Sequence, residues 1–290
     1  MTKKRILVTG ASSPLSRAIG RHLQKGGYAA LGTVRNQQKT ANLGMFEEIS
    51  LLDLSNPFDE ISLDESVDAI IHVAAESYGT PEQMMTINAI GTYRLASAAI
   101  ASGIPKFVYV SSTSVYGSTP TSELRSNSRI VHQSAYGVSK WSAECYLYSL
   151  SEQISCLCVR SPAIVGAQSN PHFLQRVRNQ MQSGEPTITV SHPDFLFNNV
   201  IHEDTMAEFL VQLAVTSTDK FRAFPVGSLQ DVSLRELLSF MSDASSYKGR
   251  IVWSEEADPP FSICLDDAIN LGLRPLTALE SIRRWALAWQ

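Results

Sequence analysis

The feature that most constrains this chain is an alternation in its first half. Short β-branched and aliphatic runs take turns with longer stretches of helical periodicity. Arg5–Thr9, Ala29–Val34, Glu48–Leu52, Ala69–Val73, Lys106–Val110 and Ile154–Val159 read as strands. Pro14–Lys25, Pro81–Ser102 and Ser134–Glu152 read as helices, the first capped by Ser12 or Ser13 with Pro14 in its opening turn. Strands that follow one another through helices must run parallel, so the pattern predicts an α/β fold with a doubly wound parallel sheet. Such sheets bind ligands at the carboxyl ends of their strands.

After Gly166 the pattern loosens. Pro162, Pro171, Pro186 and Pro193 punctuate shorter elements, and helices are predicted at His172–Ser183, Glu203–Thr216, Ser233–Ala244 and Thr277–Trp289. The expected organisation is a sheet domain over 1–165 and a smaller C-terminal lobe over 166–290, with residues of about 195–228 returning to the sheet. At 290 residues, 44% hydrophobic and 18% charged, the chain can bury a full core. A net charge of -4 offers no broad basic surface, which argues against nucleic acid as a partner. The apolar run before Gly10 is too short for a signal peptide, and no stretch approaches the ~20 apolar residues of a bilayer span, so a cytoplasmic location away from membranes is expected. Cys145, Cys156, Cys158 and Cys264 have no neighbouring histidine pairs; they read as free thiols, and no metal site is predicted.

Three segments carry chemistry. Gly10-Ala11-Ser12-Ser13-Pro14-Leu15-Ser16 joins the first strand to the first helix, where free N–H groups can meet a phosphate. Tyr136 and Lys140 are four apart on a helix and so share a face. Val110-Ser111-Ser112-Thr113-Ser114-Val115-Tyr116-Gly117 ends the fifth strand. In this order the segments resemble the extended short-chain dehydrogenase/reductase family, of the NAD(P)-dependent epimerase/dehydratase type. The likeness continues through Val159-Arg160-Ser161-Pro162-Ala163-Ile164-Val165-Gly166 and Leu271-Gly272-Leu273-Arg274-Pro275.

The resemblance implies a Rossmann domain with a substrate-binding lobe, and a catalytic trio of Ser112, Tyr136 and Lys140. Tyr136 is the expected acid or base, with the Lys140 ammonium and the oxidised nicotinamide favouring its phenolate. Ser112 is expected to orient a substrate oxygen, with Thr113 beside it. The family's turn has three glycines; here only Gly10 remains, with Ser13 and Ser16 at the other two places. The implied dinucleotide site comprises Gly10, Ser12, Ser13, Pro14, Leu15, Arg35, Asp53, Leu54, Ala74, Ala75, Tyr136, Lys140, Ser161 and Ala163. Arg35, with Lys39 nearby, suits a 2′-phosphate, so NADP is the expected cofactor and NAD the alternative. His72 reads as a packing residue. Asn88 matches a position that holds the central helix against the active-site strand.

On the substrate side, Phe197 or Asn198 stands where many epimerases place an arginine. Asn198 and Asn199 are the expected substrate donors, with Arg176 and Arg178 as alternative sources of charge. The 4,6-dehydratases of this family carry an Asp-Glu pair where this chain has Thr113 and Ser114, which disfavours water elimination. The leading expectation is an oxidoreductase acting on a nucleotide-activated sugar, as a 4-keto-sugar reductase or a 4-epimerase. The alternatives are an NADPH-dependent reductase of a small non-nucleotide carbonyl compound and a non-catalytic dinucleotide-binding sensor. By family analogy, a homodimer is the expected assembly.

Overall fold

The structure is a computed structural model that describes residues 3–36, 42–56, 59–118, 121–131, 134–167, 172–217, 219–254 and 259–289. It divides into two compact units. The first holds residues up to Thr119, Arg129–Arg160 and Met206–Phe224; the second holds Pro120–Ser128, Ser161–Thr205 and Pro225–Gln290.

The first unit is built on a seven-stranded sheet. Its strands are β1 (Arg5–Thr9), β2 (Ala29–Val34), β3 (Glu48–Leu51), β4 (Ala69–His72), β5 (Lys106–Ser112), β7 (Ser155–Ser161) and β11 (Phe221–Pro225), β6 lying elsewhere at Glu123–Leu124. Their order is β11-β7-β5-β4-β1-β2-β3. The chain starts at β1, moves out to β3, then returns to β4 on the other side of β1. The β1–β4 junction is therefore the switch point of a doubly wound sheet, where a crevice opens beyond the strand ends. Pairing there is parallel, and its last register pair is Thr9 with His72. Leu7, Ile70, Phe107, Tyr109, Cys156 and Cys158 pack against Leu95, Ala99, Ala143 and Leu147 of the covering helices.

Most predicted elements stand within a residue or two. Helix α1 spans Pro14–Lys25, with Ser13 as its cap. The predicted 81–102 helix is not uniform. It begins as α2 (Pro81–Met84), widens into a π turn over Met85–Ile90 and resumes as α3 (Gly91–Ala101). β5 runs two residues further than expected, to Ser112. The helix predicted over 134–152 is α4 (Ala135–Ser149), capped by Ser134.

The second unit pairs β8 (Ala163–Val165) with β10 (Val200–His202), β9 (Thr187–Ser191) with β12 (Arg250–Ser254), and β6 with β13 (Ser262–Ile263), all parallel. Helices α5 (Phe173–Gln182), α7 (Leu234–Ala244) and α9 (Ala278–Ala286) bury Leu174, Val177, Leu237, Leu238, Ile282 and Trp285 in one core. Helix α8 is the short Asp266–Asn270, while α6 (Glu203–Thr216) belongs from Met206 onward to the first unit. No described helix is long and apolar enough to cross a membrane.

Candidate active site

Gly10 follows β1 with φ +66°, and a Cβ there would lie 3.1 Å from the Ala74 Cα. Only glycine satisfies both the left-handed backbone and that contact. The two serines replace the missing glycines in different ways. The Ser13 hydroxyl caps α1 by accepting from the Ser16 N–H at 3.2 Å. The Ser16 side chain is fully buried and donates to the Thr9 carbonyl at 3.2 Å, so a hydrogen bond fastens helix to strand where a glycine would allow bare contact. Ser13 in turn donates to the Ser16 hydroxyl at 2.8 Å. The Arg17 guanidinium donates to the Ser12 carbonyl at 2.8 Å. Pro14 has no N–H and Ser13 occupies that of Ser16, leaving the Ser12 and Leu15 amides at the positive end of α1 for an anion. The glycine-closed cradle and this helix start fit a dinucleotide diphosphate.

Beyond β2, Arg35 is half exposed, with its guanidinium 3.8 Å from the Glu76 carboxylate. Lys39 lies outside the described residues. Asp53 folds its carboxylate onto the Ser55 N–H at 2.9 Å and the Ser55 hydroxyl at 2.7 Å, a local turn. Leu54 is buried against Gly91, where a Cβ would approach it to 2.9 Å. Ala74 abuts Gly10, and Ala75 is exposed.

The structure brings Ser112 and Tyr136 together. Ser112 ends β5 and accepts from the Ser114 N–H at 3.1 Å, opening a tight turn through Thr113, which is half-buried. Tyr136 sits in the first turn of α4. Burial raises its phenol pKa above the ordinary value, and hydrogen bonding by Ser77 and Ser112 offsets this only in part. The resemblance implies a phenolate favoured by Lys140 together with the oxidised nicotinamide; in the protein alone, burial is the larger influence on the phenol. Lys140 instead donates to the Val110 carbonyl at 2.7 Å, with its ammonium 4.1 Å from the centre of the Tyr109 ring. Only 1% exposed, it is driven down to about 7 by burial, against the pull of Glu144.

Sequence reasoning missed what lies one turn beyond Lys140. Glu144 is buried, and Arg160 grips it through Nη2 at 2.7 Å and Nε at 3.1 Å. Arg160 also donates to the Tyr116 hydroxyl at 2.9 Å, and the Ser111 hydroxyl donates to Glu144. The available signal was the i, i+4 spacing of Lys140 and Glu144. Ser77 carried none.

The remaining candidates belong to the second unit. The Ser161 hydroxyl donates to the Pro162 carbonyl at 3.0 Å, and Ala163 pairs with Val200. Asn198 was expected to donate to a substrate. It is 2% exposed, and its amide donates to the Ile263 carbonyl and accepts from the Ile263 N–H, each at 2.9 Å, so it is engaged in holding that strand. Asn199 donates to the Phe261 carbonyl at 2.9 Å, while its Oδ1 is buried without a partner. Arg178 lies over Trp285 and Trp289, 5.7 and 5.0 Å from their ring centres, so its charge is turned to that aromatic pair. Arg176 is exposed beside Phe173. Among the described residues no cluster of histidine, cysteine and acidic groups could hold a metal ion.

Comparison with known proteins shows the family and the fold. A segment of 116 residues, 37% of the chain, is 31% identical to mouse (Mus musculus) dTDP-D-glucose 4,6-dehydratase and spans 31% of that protein. A segment covering 58% of the chain is 27% identical to UDP-glucose 4-epimerase of Mycolicibacterium smegmatis, of which it spans 58%. The matched segments thus cover less than two thirds of either relative. Among solved structures, the Bordetella bronchiseptica enzyme WbmG, in complex with NAD and UDP, superposes with a TM-score of 0.80 at 15% identity, covering 99% of this chain and 94% of that one. The sequence model of the NAD dependent epimerase/dehydratase family matches residues 6–214, and the chain belongs to that family.

Proposed function

We propose that this protein is a nicotinamide-dinucleotide-dependent oxidoreductase acting on a nucleotide-activated sugar, as a 4-keto-sugar reductase or a 4-epimerase. The observation that carries the reading is the meeting of Ser112 and Tyr136 at the carboxyl end of β5, with Lys140 buried one helical turn along α4. When bound, the dinucleotide supplies the hydride donor or acceptor. Gly10, Ser12 and Leu15 would hold its diphosphate. Tyr136 moves the accompanying proton between its phenolic oxygen and the substrate oxygen. Its raised pKa keeps it protonated at neutral pH and suits it to the donor role of a carbonyl reduction. Ser112 orients the same oxygen and shares its developing charge. The Lys140 ammonium, one helical turn along α4 and held on the Val110 carbonyl, is assigned the supply of positive charge to the site. Thr113 and Ser114 supply no carboxyl group for water elimination, so the likeness to dehydratases does not extend to that step.

Arg35 favours NADP, but its guanidinium already faces Glu76, and a 2′-phosphate would have to compete for it. The two cofactors are separated by comparing initial rates with NADPH and NADH. The test of the reading is whether the purified protein, given either reduced dinucleotide, reduces a 4-keto-sugar nucleotide, or interconverts UDP-hexoses without added cofactor. Failure of both, with dinucleotide bound, would remove the sugar-nucleotide assignment and favour a small-carbonyl reductase.

A further inference from the structure

The last register pair at the sheet's switch point is Thr9 with His72, and from it runs a buried chain of hydrogen bonds whose direction is fixed at each link. The Thr9 hydroxyl oxygen accepts from two backbone amides, Val73 at 3.0 Å and Ala74 at 3.1 Å. Both of its lone pairs are then used, so its own proton points to His72 Nδ1 at 2.7 Å. Nδ1 is therefore the acceptor, and the ring proton sits on Nε2, which faces the Thr92 hydroxyl at 2.9 Å. Thr92 passes its proton to the Asn88 carbonyl at 2.6 Å. The Asn88 side chain, inside the π turn, donates to the Glu76 carbonyl at 2.8 Å and the Ser139 hydroxyl at 3.0 Å, and Ser139 donates to the Tyr136 carbonyl at 2.8 Å. His72, Thr9, Thr92 and Ser139 are 0% exposed, and Asn88 is 1% exposed. Bulk solvent does not reach these groups.

We propose that His72 is a positioning residue: as the neutral, Nε2-protonated tautomer it ties the dinucleotide turn, through Thr9, to Thr92 and Asn88, and through Ser139 to the helix start that carries Tyr136. This role rests on the oxidoreductase reading given above and adds a residue to it. A packing role would ask only for a ring of the right size. The structure instead uses both ring nitrogens with opposite polarity, and inserts a π turn where the chain reaches Asn88. Such turns are a rare departure from the α-helix that recurs at functional sites. A second proton on His72 would turn Nδ1 into a donor against a hydroxyl with no free lone pair. The groups facing the ring agree: Thr9 from β1, Phe107 and Tyr109 from β5 at 5.6 Å between ring centres, Thr92 from α3, and the Lys140 charge from α4. None of them is an anion that would favour imidazolium. Burial, then Lys140, pushes the imidazole pKa down to about 3.

The experiment uses the full chain labelled with ¹⁵N-histidine and ¹³Cζ-tyrosine, with His72→Gln and Tyr136→Phe assigning the two resonances. The expected result is an Nε2–H pattern for His72 that does not titrate between about pH 5 and about pH 9. Thr92→Val should move the Tyr136 resonance and lower kcat by about ten- to a hundredfold, with a smaller change in KM for the dinucleotide; Thr92→Ser should restore both. An Nδ1–H pattern, a titration near the ordinary imidazole value, or a Thr92→Val protein with the parental Tyr136 resonance would overturn the proposal. If the parent chain turned over no nucleotide sugar, the functional reading would fail while the two resonances still decided this link.

Discussion

Arg160 of β7 clasps Glu144 of α4 through two nitrogens inside the first unit, on the helix that carries Tyr136 and Lys140. Glu144 lies on α4, one turn after Lys140, and takes the hydroxyl of Ser111 next to Ser112. Removing one charge of a buried pair leaves the other without compensation, at a cost of about 3–5 kcal/mol. Glu144→Gln should therefore lower the melting temperature sharply. A variant within a degree or so of the parent would show that the pair is not what secures α4 to β7.

Lys140 gives the protein a distinctive pH response. Its folded pKa, about 7, lies below the ordinary lysine value, so between those two values the unfolded chain binds a proton that the folded chain does not. Stability from this group therefore rises with pH across the window and is flat below it, where both forms are charged. Denaturant unfolding at a series of pH values should show the rise in the parent and its loss in Lys140→Met. Turnover should move the other way, falling as pH climbs through about 7, because the proposed role needs the ammonium.

Tyr136→Phe removes one oxygen and little volume. Turnover should drop by roughly 10²–10⁴-fold, the usual worth of a positioned acid or base, with dinucleotide affinity nearly unchanged. Calorimetric binding together with steady-state rates separates the two effects. Retained turnover would mean that the proton comes from elsewhere.

Ser13 occupies the N–H of Ser16, an amide that a phosphate could use. Glycine at a helix cap costs only a few tenths of a kcal/mol relative to serine. Ser13→Gly should leave stability almost untouched and tighten dinucleotide binding several-fold. Ser16→Ala breaks the bond to Thr9 and should cost about 1 kcal/mol. Weaker binding by Ser13→Gly would instead make the serine hydroxyl a phosphate ligand in its own right.

Val138, Trp141 and Tyr146 of α4 leave large apolar surface in water, as does Tyr93 of α3, whose ring lies 5.2 Å from that of Tyr146. A second copy of this chain is the proposed cover for that face. Light scattering should give a dimer mass for the parent and a monomer for Trp141→Glu. A monomeric parent would leave the face to another partner.

The sheet was legible because its strands are dense apolar runs and Gly10 marks the turn that follows β1. The π turn at Met85–Ile90 was not, since its apolar spacing differs from an α-helix by a single inserted residue. The three-residue strands β8 and β10 are too short to show a period. Tyr136 and Lys140 were legible as a spacing, but not the direction of the phenol pKa, which burial decides. Asn198 looked like a donor because its sequence does not reveal that Ile263, 65 residues later, takes both ends of its amide. Arg160 and Glu144 were likewise invisible as a pair, because each could equally have faced solvent.

The seven-stranded order places β11, near residue 225, on the open flank of β7. During synthesis the sheet of the first unit therefore has to wait for the ribosome to deliver β11. A fragment cut after residue 165 would display the bare backbone of β7 to any other chain and should clump, whereas a cut beyond 225 would let the sheet close.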